Sequence, residues 1–170
     1  MSDLPIVRRV TPADGVVLRT MRLAALRDAP SAFGSSHAAE VERTVEFWDD
    51  QVERSAAGRS PGYWLAERDG ETVGLVGAFR PPDLTDDRVD LVSMWVAPSG
   101  RRRGTGRVLV DAVINWSRDT DAVAVELWVT RGNEPAATLY RSHGFDVTGD
   151  VALLPSDPCK DGLRMRLELG

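Results

Sequence analysis

The stretch Val92–Val110, VSMWVAPSGRRRGTGRVLV, decides how the rest of the chain is read. It runs from an apolar strand, through a turn rich in glycine and arginine, into an amphipathic helix. A helix N-terminus leaves its first backbone N–H groups without intrahelical partners, and here cationic side chains surround them. The expected product is an anion site, most simply for phosphate.

Bulk properties narrow the purpose of such a site. The chain has 170 residues, enough for one well-cored domain over 1–170 and short for two. Apolar residues make up 42% and charged residues 28%, as in an ordinary globular protein. The net charge of −5 argues against nucleic acid or an anionic membrane as partner. One cysteine, Cys159, gives no disulfide framework, and with only His37 and His143 beside it there is no sensible zinc set. The opening residues MSDLPIVRRV lack the apolar core of a signal peptide, and no run approaches a membrane helix. A soluble, reducing, cytoplasmic setting is the default.

Outward from the central stretch, periodicity predicts strands at Pro5–Val10, Tyr63–Glu67, Thr72–Phe79, Val89–Val96, Val123–Val129, Phe145–Leu153 and Leu163–Leu169. Thr11-Pro12 opens a helix reaching Asp28, with threonine as N-cap and proline at the first helical position. A second helix is expected from Ala38 to Ala57, with Val41, Val45, Trp48 and Val52 as its stripe. Asp69-Gly70 marks a tight hairpin, and Pro81 to Asp87 a polar loop. Leu109, Ala112, Val113 and Trp116 mark the buried face of the helix after the arginines. Asn133-Glu134-Pro135 starts another helix, lined by Ala136, Leu139, Tyr140 and His143 and stopped by Gly144. The last two strands flank a Pro/Asp/Ser loop. The order β-α-α-β-β-β-α-β-α-β-β describes one mixed α/β domain.

The glycines fit neither common phosphate fingerprint. Gly104-Thr105-Gly106 is followed by Leu109 where G-x-G-x-x-G needs glycine, and Arg107-Val108 replaces the Lys-Ser/Thr of a P-loop. What remains is Arg101-x-x-Gly104-x-Gly106 after a strand. This resembles motif A of the GCN5-related N-acetyltransferases (GNAT), [Q/R]-x-x-G-x-[G/A]. The second half of that pattern follows as Asn133-x-x-Ala136-x-x-Leu139-Tyr140-x-x-x-Gly144-Phe145. Motif order and element order both agree, so the resemblance covers nearly the whole chain.

The resemblance implies a mostly antiparallel, twisted sheet of about seven strands, with strands 4 and 5 splayed and about four helices around it. It implies acetyl-coenzyme A (acetyl-CoA) as acyl donor, with no metal. Backbone groups of Arg102, Arg103, Gly104, Thr105, Gly106 and Arg107 would hold the pyrophosphate, with Arg101 and the other arginines adding charge at the rim. Met94, Trp95 and Val96 would pair with the pantetheine arm and polarise the thioester carbonyl. Asn133 would cap its helix, bond the pantetheine, or both. Tyr140 would assist the departing thiolate, a role suited to a phenol protonated at neutral pH.

The acceptor half is less legible. Similar bacterial enzymes that acetylate ribosomal-protein alanine carry a glutamate base five residues before the motif asparagine, where this chain has Trp128. Glu126 and Asp90 are carboxylates on the flanking strands, and Ser93 could hold a water. Phe33, His37, Glu40 and Trp48, with Asp157 and Asp161, are candidates for a pocket suited to a cationic amine. The implied activity is direct acetyl transfer to a primary amine of a small molecule or peptide. Its rival is a non-catalytic acyl-CoA sensor or partner-binding domain of the same fold. A homodimer would also agree with the family, although no stripe in the sequence supplies a surface for it.

Overall fold

Seven strands form one sheet in the order β1-β2-β3-β4-β5-β7-β6. A computed structural model describes residues 4–82 and 86–170. The strands are β1 (Ile6–Arg9), β2 (Gly62–Arg68), β3 (Glu71–Phe79), β4 (Arg88–Val96), β5 (Ala124–Thr130), β6 (Asp146–Leu154) and β7 (Asp157–Glu168). The described helices are α1 (Gly15–Asp28), α2 (His37–Val41), α3 (Val45–Ala56), α4 (Thr105–Asp119) and α5 (Glu134–Ser142). Residues 83–85 of the expected polar loop, and 1–3 of the opening segment, lie outside the described residues. No helix among the described residues is long and apolar enough to cross a membrane.

Each face of the sheet carries its own core. On one, Leu109, Val110, Val113 and Ile114 of α4 and Ala137 and Tyr140 of α5 pack on Val89, Leu91, Val125 and Leu127. On the other, Leu18, Met21 and Leu26 of α1 and Trp48 and Val52 of α3 pack on Leu65, Leu75 and Trp95. The buried face of α4 includes Val110, Ile114 and Ser117, while Ala112 and Trp116 sit at its margin. The β2–β3 hairpin turns as its sequence implies. Asp69 and Gly70 both take positive φ (51° and 79°), as a two-residue turn matched to strand twist requires.

Two features of β4 create the central gap. Gly77 pairs with Val92 and Leu75 with Trp95, so Val76 stands opposite both Ser93 and Met94. This is a β-bulge, and Ser93 takes φ 55° to accommodate it. One extra residue reverses the strand's alternation: Leu91 faces the α4 side and Trp95 the α1 side. Secondly, β4 and β5 are parallel partners only from Arg88–Asp90 against Ala124–Glu126. Beyond that point the strands splay.

Three expectations change. The helix expected from Ala38 to Ala57 is two helices, because Ser36 and Thr44 each accept an N-terminal N–H (Ala39 and Phe47) and so start separate helices. The described residues therefore form five α-helices where about four were expected. Val45 falls at the start of α3 and is 64% exposed, so it leaves the stripe that Trp48 and Val52 keep. The loop before Leu163 is reduced to a turn, since β7 begins at Asp157 opposite Leu154. Pro158 is tolerated there because β5 pairs with β7 only from Gly162 onward.

Candidate active site

The splay opens into a cavity of about 1190 Å³, running from the N-terminus of α4 to Trp128, Phe33 and the β6–β7 turn. At its first end the N-cap of α4 is Gly104, at φ 78° and without a side-chain cap, and Arg102 takes φ 59°. Two left-handed residues before a helix make a concave run of N–H groups. The first intrahelical bond seen is Val108 N–H to the Gly104 carbonyl at 3.2 Å, so the N–H groups before it are left for an anion. Thr105, fully buried, donates its hydroxyl to the Gly100 carbonyl at 2.7 Å and pins the turn. These residues fit a pyrophosphate: the cradle is made of backbone, and no side chain among the described residues caps it.

The arginines divide by position. Arg102 and Arg107 line the cavity. Arg101 also borders it, but its side chain donates to the Val96 carbonyl at 3.0 Å and is ion-paired with Asp28. Asp28 in turn accepts the Trp95 indole N–H at 2.9 Å, and these bonds hold its carboxyl below the usual range. Arg101 therefore fastens the loop to β4 and α1. Arg103 is exposed and does not line the cavity.

Met94, Trp95 and Val96 border the cavity at the splayed end of β4, where only their β3 side is paired. Trp95, 9% exposed, belongs with its side chain to the α1 core. Across the gap, the Asn133 carboxamide caps α5 by accepting the Ala136 N–H at 3.3 Å. Tyr140 lies seven residues, about two turns, further along α5 on nearly the same side. Its ring packs edge-on against Phe145 with centroids 5.9 Å apart, and burial pushes its phenol pKa well above the ordinary value of 10. The loop, the strand end, Asn133 and Tyr140 thus meet around one cavity.

The acceptor-side candidates separate. Phe33 and Ser93 line the cavity. Arg22 joins them: it donates to Ser93 Oγ at 3.2 Å, pairs with Glu40 at 3.0 Å, and lies 4.9 Å from the Phe33 ring centroid. Glu40 is held behind Arg22 and is not a wall of the cavity. Trp48 is core, 4% exposed and edge-on to Phe47, because α3 turns it onto α1 and β2. His37 opens α2 and does not border the cavity. Asp161 is tied to Arg131 at 2.9 Å, and Asp157 accepts the Cys159 N–H at 3.1 Å.

Neither strand carboxylate lines the cavity. Glu126, 3% exposed, is enclosed by Arg164, by Arg166 at 2.7 Å and by Arg88 at 3.2 Å. Asp90 is bonded to Arg88 at 3.0 Å, and partial burial raises its carboxyl pKa against that partner's pull. The arginines of β7 recruit Glu126 because the register sets Arg166 opposite Glu126 and Arg164 opposite Trp128. Sequence reasoning missed Arg22, Asp28 and the turn residues Ala152–Pro155, which also border the cavity. No local motif marks them, since only the tertiary fold brings α1 and the last hairpin to the β4–β5 gap. Trp128, noted in the sequence as a missing glutamate, is itself a wall and is 48% exposed.

Comparison with known proteins agrees with this arrangement. The model of the acetyltransferase (GNAT) family matches residues 23–145. N-acetyltransferase 8 of Rattus norvegicus is 38% identical over 97 residues, covering 54% of this chain and 42% of that protein. Mycothiol acetyltransferase of Thermomonospora curvata is 34% identical over 151 residues, covering 85% of this chain and 48% of that protein. The chain thus spans less than half the length of these curated relatives. Among solved structures, yncA from Salmonella typhimurium, with its cofactor acetyl-CoA, superposes with a TM-score of 0.79 at 19% identity, covering 98% of this chain and 94% of that one. Ribosomal-protein-alanine N-acetyltransferase from Brucella melitensis gives 0.79 at 24% identity, covering 96% and 99%. At those identities the superpositions speak for the fold alone, but the family match spans most of the chain. The chain belongs to the GNAT acetyltransferase family.

Proposed function

We propose that the protein is an acetyl-CoA-dependent N-acetyltransferase that moves an acetyl group directly to a primary amine. The observation that carries this reading is the continuous cavity between the uncapped N-terminus of α4 and Trp128, with Tyr140 on its wall. Bound acetyl-CoA supplies the acetyl group as a thioester. The residues derived to hold it are the N–H groups of Arg102 to Arg107, with Arg102 and Arg107 adding charge, the splayed edge of Met94–Val96, and Asn133.

Each residue then has a definable task. The backbone of β4 beyond the bulge has no strand partner toward the gap, and Arg101 takes only the Val96 carbonyl there, so it orients an extended arm and offers a donor to an oxygen gaining charge. Tyr140 Oη keeps its proton at all physiological pH values, because burial disfavours the phenolate. It therefore serves as the acid for a departing thiolate. Among the described residues no carboxylate stands free at the acceptor end, so the amine reaches the site neutral or sheds its proton to water there. A cytoplasmic setting accompanies this reading.

Calorimetry with acetyl-CoA, followed by thiol release with a panel of amines, tests it. Binding with turnover of at least one amine supports the reading. Tight binding with no turnover of any amine would favour a sensor of the acyl donor, and no binding would remove the donor assignment.

A further inference from the structure

The acceptor end of the cavity has walls of definite chemistry. Its apolar side chains include Phe33, Trp128, Ala152, Leu154 and Pro155, with Ser35 and Thr130 among them, and Arg22 is the cation beside them. The Trp128 indole lies on Gly162: a Cβ added there would stand 3.4 Å from Trp128 Cε3 and 3.3 Å from Leu154 Cδ2. Glycine at that position lets the ring lie low on β7 and leaves its outer face to the cavity.

Charge points the same way. Among the described residues Asp28 is the one carboxylate bordering the cavity, and it is occupied by Trp95 and Arg101. Glu40 is bound to Arg22, Asp161 to Arg131, and Glu126 to three arginines. A polyamine or aminoglycoside would bring several cations to a pocket with no free carboxylate and with Arg22 already present. Desolvating unpaired charges is costly.

The pocket is also roofed. Ser156 donates its hydroxyl to the Phe33 carbonyl, Thr130 donates to the Ser31 carbonyl at 2.9 Å, and Lys160 donates to Ser31 Oγ at 3.1 Å. These bonds tie the 31–33 loop to β5 and the last hairpin across the acceptor end. An extended protein N-terminus needs an open groove; a small molecule does not.

Resting on the acetyl-transfer reading above, we infer that the acceptor is a small primary amine whose nucleophilic nitrogen, neutral when it attacks, is its single basic group, on an apolar, ring-sized body that packs against Trp128 and Phe33. The polar end is the nucleophile, directed toward Ser93 and the β4 bulge. The body replaces water on the two aromatic walls, which is where its binding free energy arises.

The test compares 2-phenylethylamine with spermidine, kanamycin and a hexapeptide with a free amino terminus, by thiol release and by calorimetric titration into the protein–coenzyme A complex. The aromatic amine is expected to have the highest kcat/KM. Trp128→Ala is expected to raise its KM about tenfold with the KM for acetyl-CoA unmoved, and Trp128→Phe to restore most of the loss. Preference for spermidine, kanamycin or the peptide, or a silent Trp128→Ala, overturns the acceptor class while acetyl transfer stands. Trp128-dependent binding of the aromatic amine without any turnover would retain the class and remove the transfer reading. No binding of the aromatic amine at all overturns the class.

Discussion

The indole of Trp95 donates to Asp28 at 2.9 Å, joining the end of β4 to the end of α1 immediately beside the arginine loop. Because Asp28 also pairs with Arg101, one carboxylate sets both the strand end and the approach to the helix N-terminus. Asp28→Ala is expected to loosen the loop and raise the Kd for acetyl-CoA about tenfold, a change of about 1.4 kcal/mol. Asp28→Asn keeps an acceptor for Trp95 and is expected to lose less. Calorimetry on the two variants distinguishes positioning from loss of fold.

Gly104 combines a left-handed φ of 78° with a crowded position, since a Cβ there would meet Leu4 at 2.5 Å. Gly104→Val is expected to cost about 1–3 kcal/mol in backbone strain. It is also expected to weaken acetyl-CoA binding, because the uncapped N–H groups lose their arrangement. Urea unfolding and calorimetry, measured together, check both outcomes.

Glu126 answers three arginines in a nearly closed site. Glu126→Gln leaves those cations without their shared counter-charge and is expected to cost about 3 kcal/mol of stability. Turnover per folded molecule is expected to persist, because Glu126 does not border the cavity. Loss of turnover in a fully folded variant would return it to the list of bases.

Asp14 gives a stability prediction with a sign. Hydrogen bonds from Arg8 hold its pKa near 2, against burial, which would raise it; Thr11 contributes through its N–H and hydroxyl. A depressed folded pKa means stabilisation present above the unfolded value of about 3.9 and lost as pH falls toward 2. Arg8 is 34% exposed, so solvent screening reduces the effect to about 1 kcal/mol. Asp14→Asn should therefore lower stability at pH 7 and converge with the parent only as pH falls through 2, as seen by denaturant titration.

The pH profile of turnover follows from Tyr140 and from the lack, among the described residues, of a free carboxylate at the acceptor end. The neutral amine is the attacking form, so kcat/KM is expected to rise with pH toward the amine's own pKa. Loss of the tyrosine proton is expected only above pH 10, because burial raises that pKa. A plateau beginning near pH 5 would point to a carboxylate base in the protein.

The turns and caps proposed to hold the donor were legible because they are local. Arg101-x-x-Gly104-x-Gly106 and Asn133 to Tyr140 are short runs whose turns and caps are written in neighbouring residues. The bulge at Ser93 was not legible, since a positive φ at serine answers to the pairing of Val76 with two residues of β4. The acceptor half was misjudged for a similar reason. Trp48 and Trp128 look alike in sequence, yet helix rotation buries one and the β5–β7 register displays the other. Of the acidic residues expected to greet a cation, Glu40 and Asp161 are consumed by Arg22 and Arg131, distant in sequence, and Asp157 by its own turn.

Tyr140→Phe tests the central claim most directly. With an established acceptor, thiol release should fall about a hundredfold in kcat, the usual scale for a positioned acid, while the Kd for acetyl-CoA stays within about threefold. An unchanged kcat across the pH range, with acetyl-CoA still bound, would contradict the role assigned to Tyr140 and the mechanism built on it.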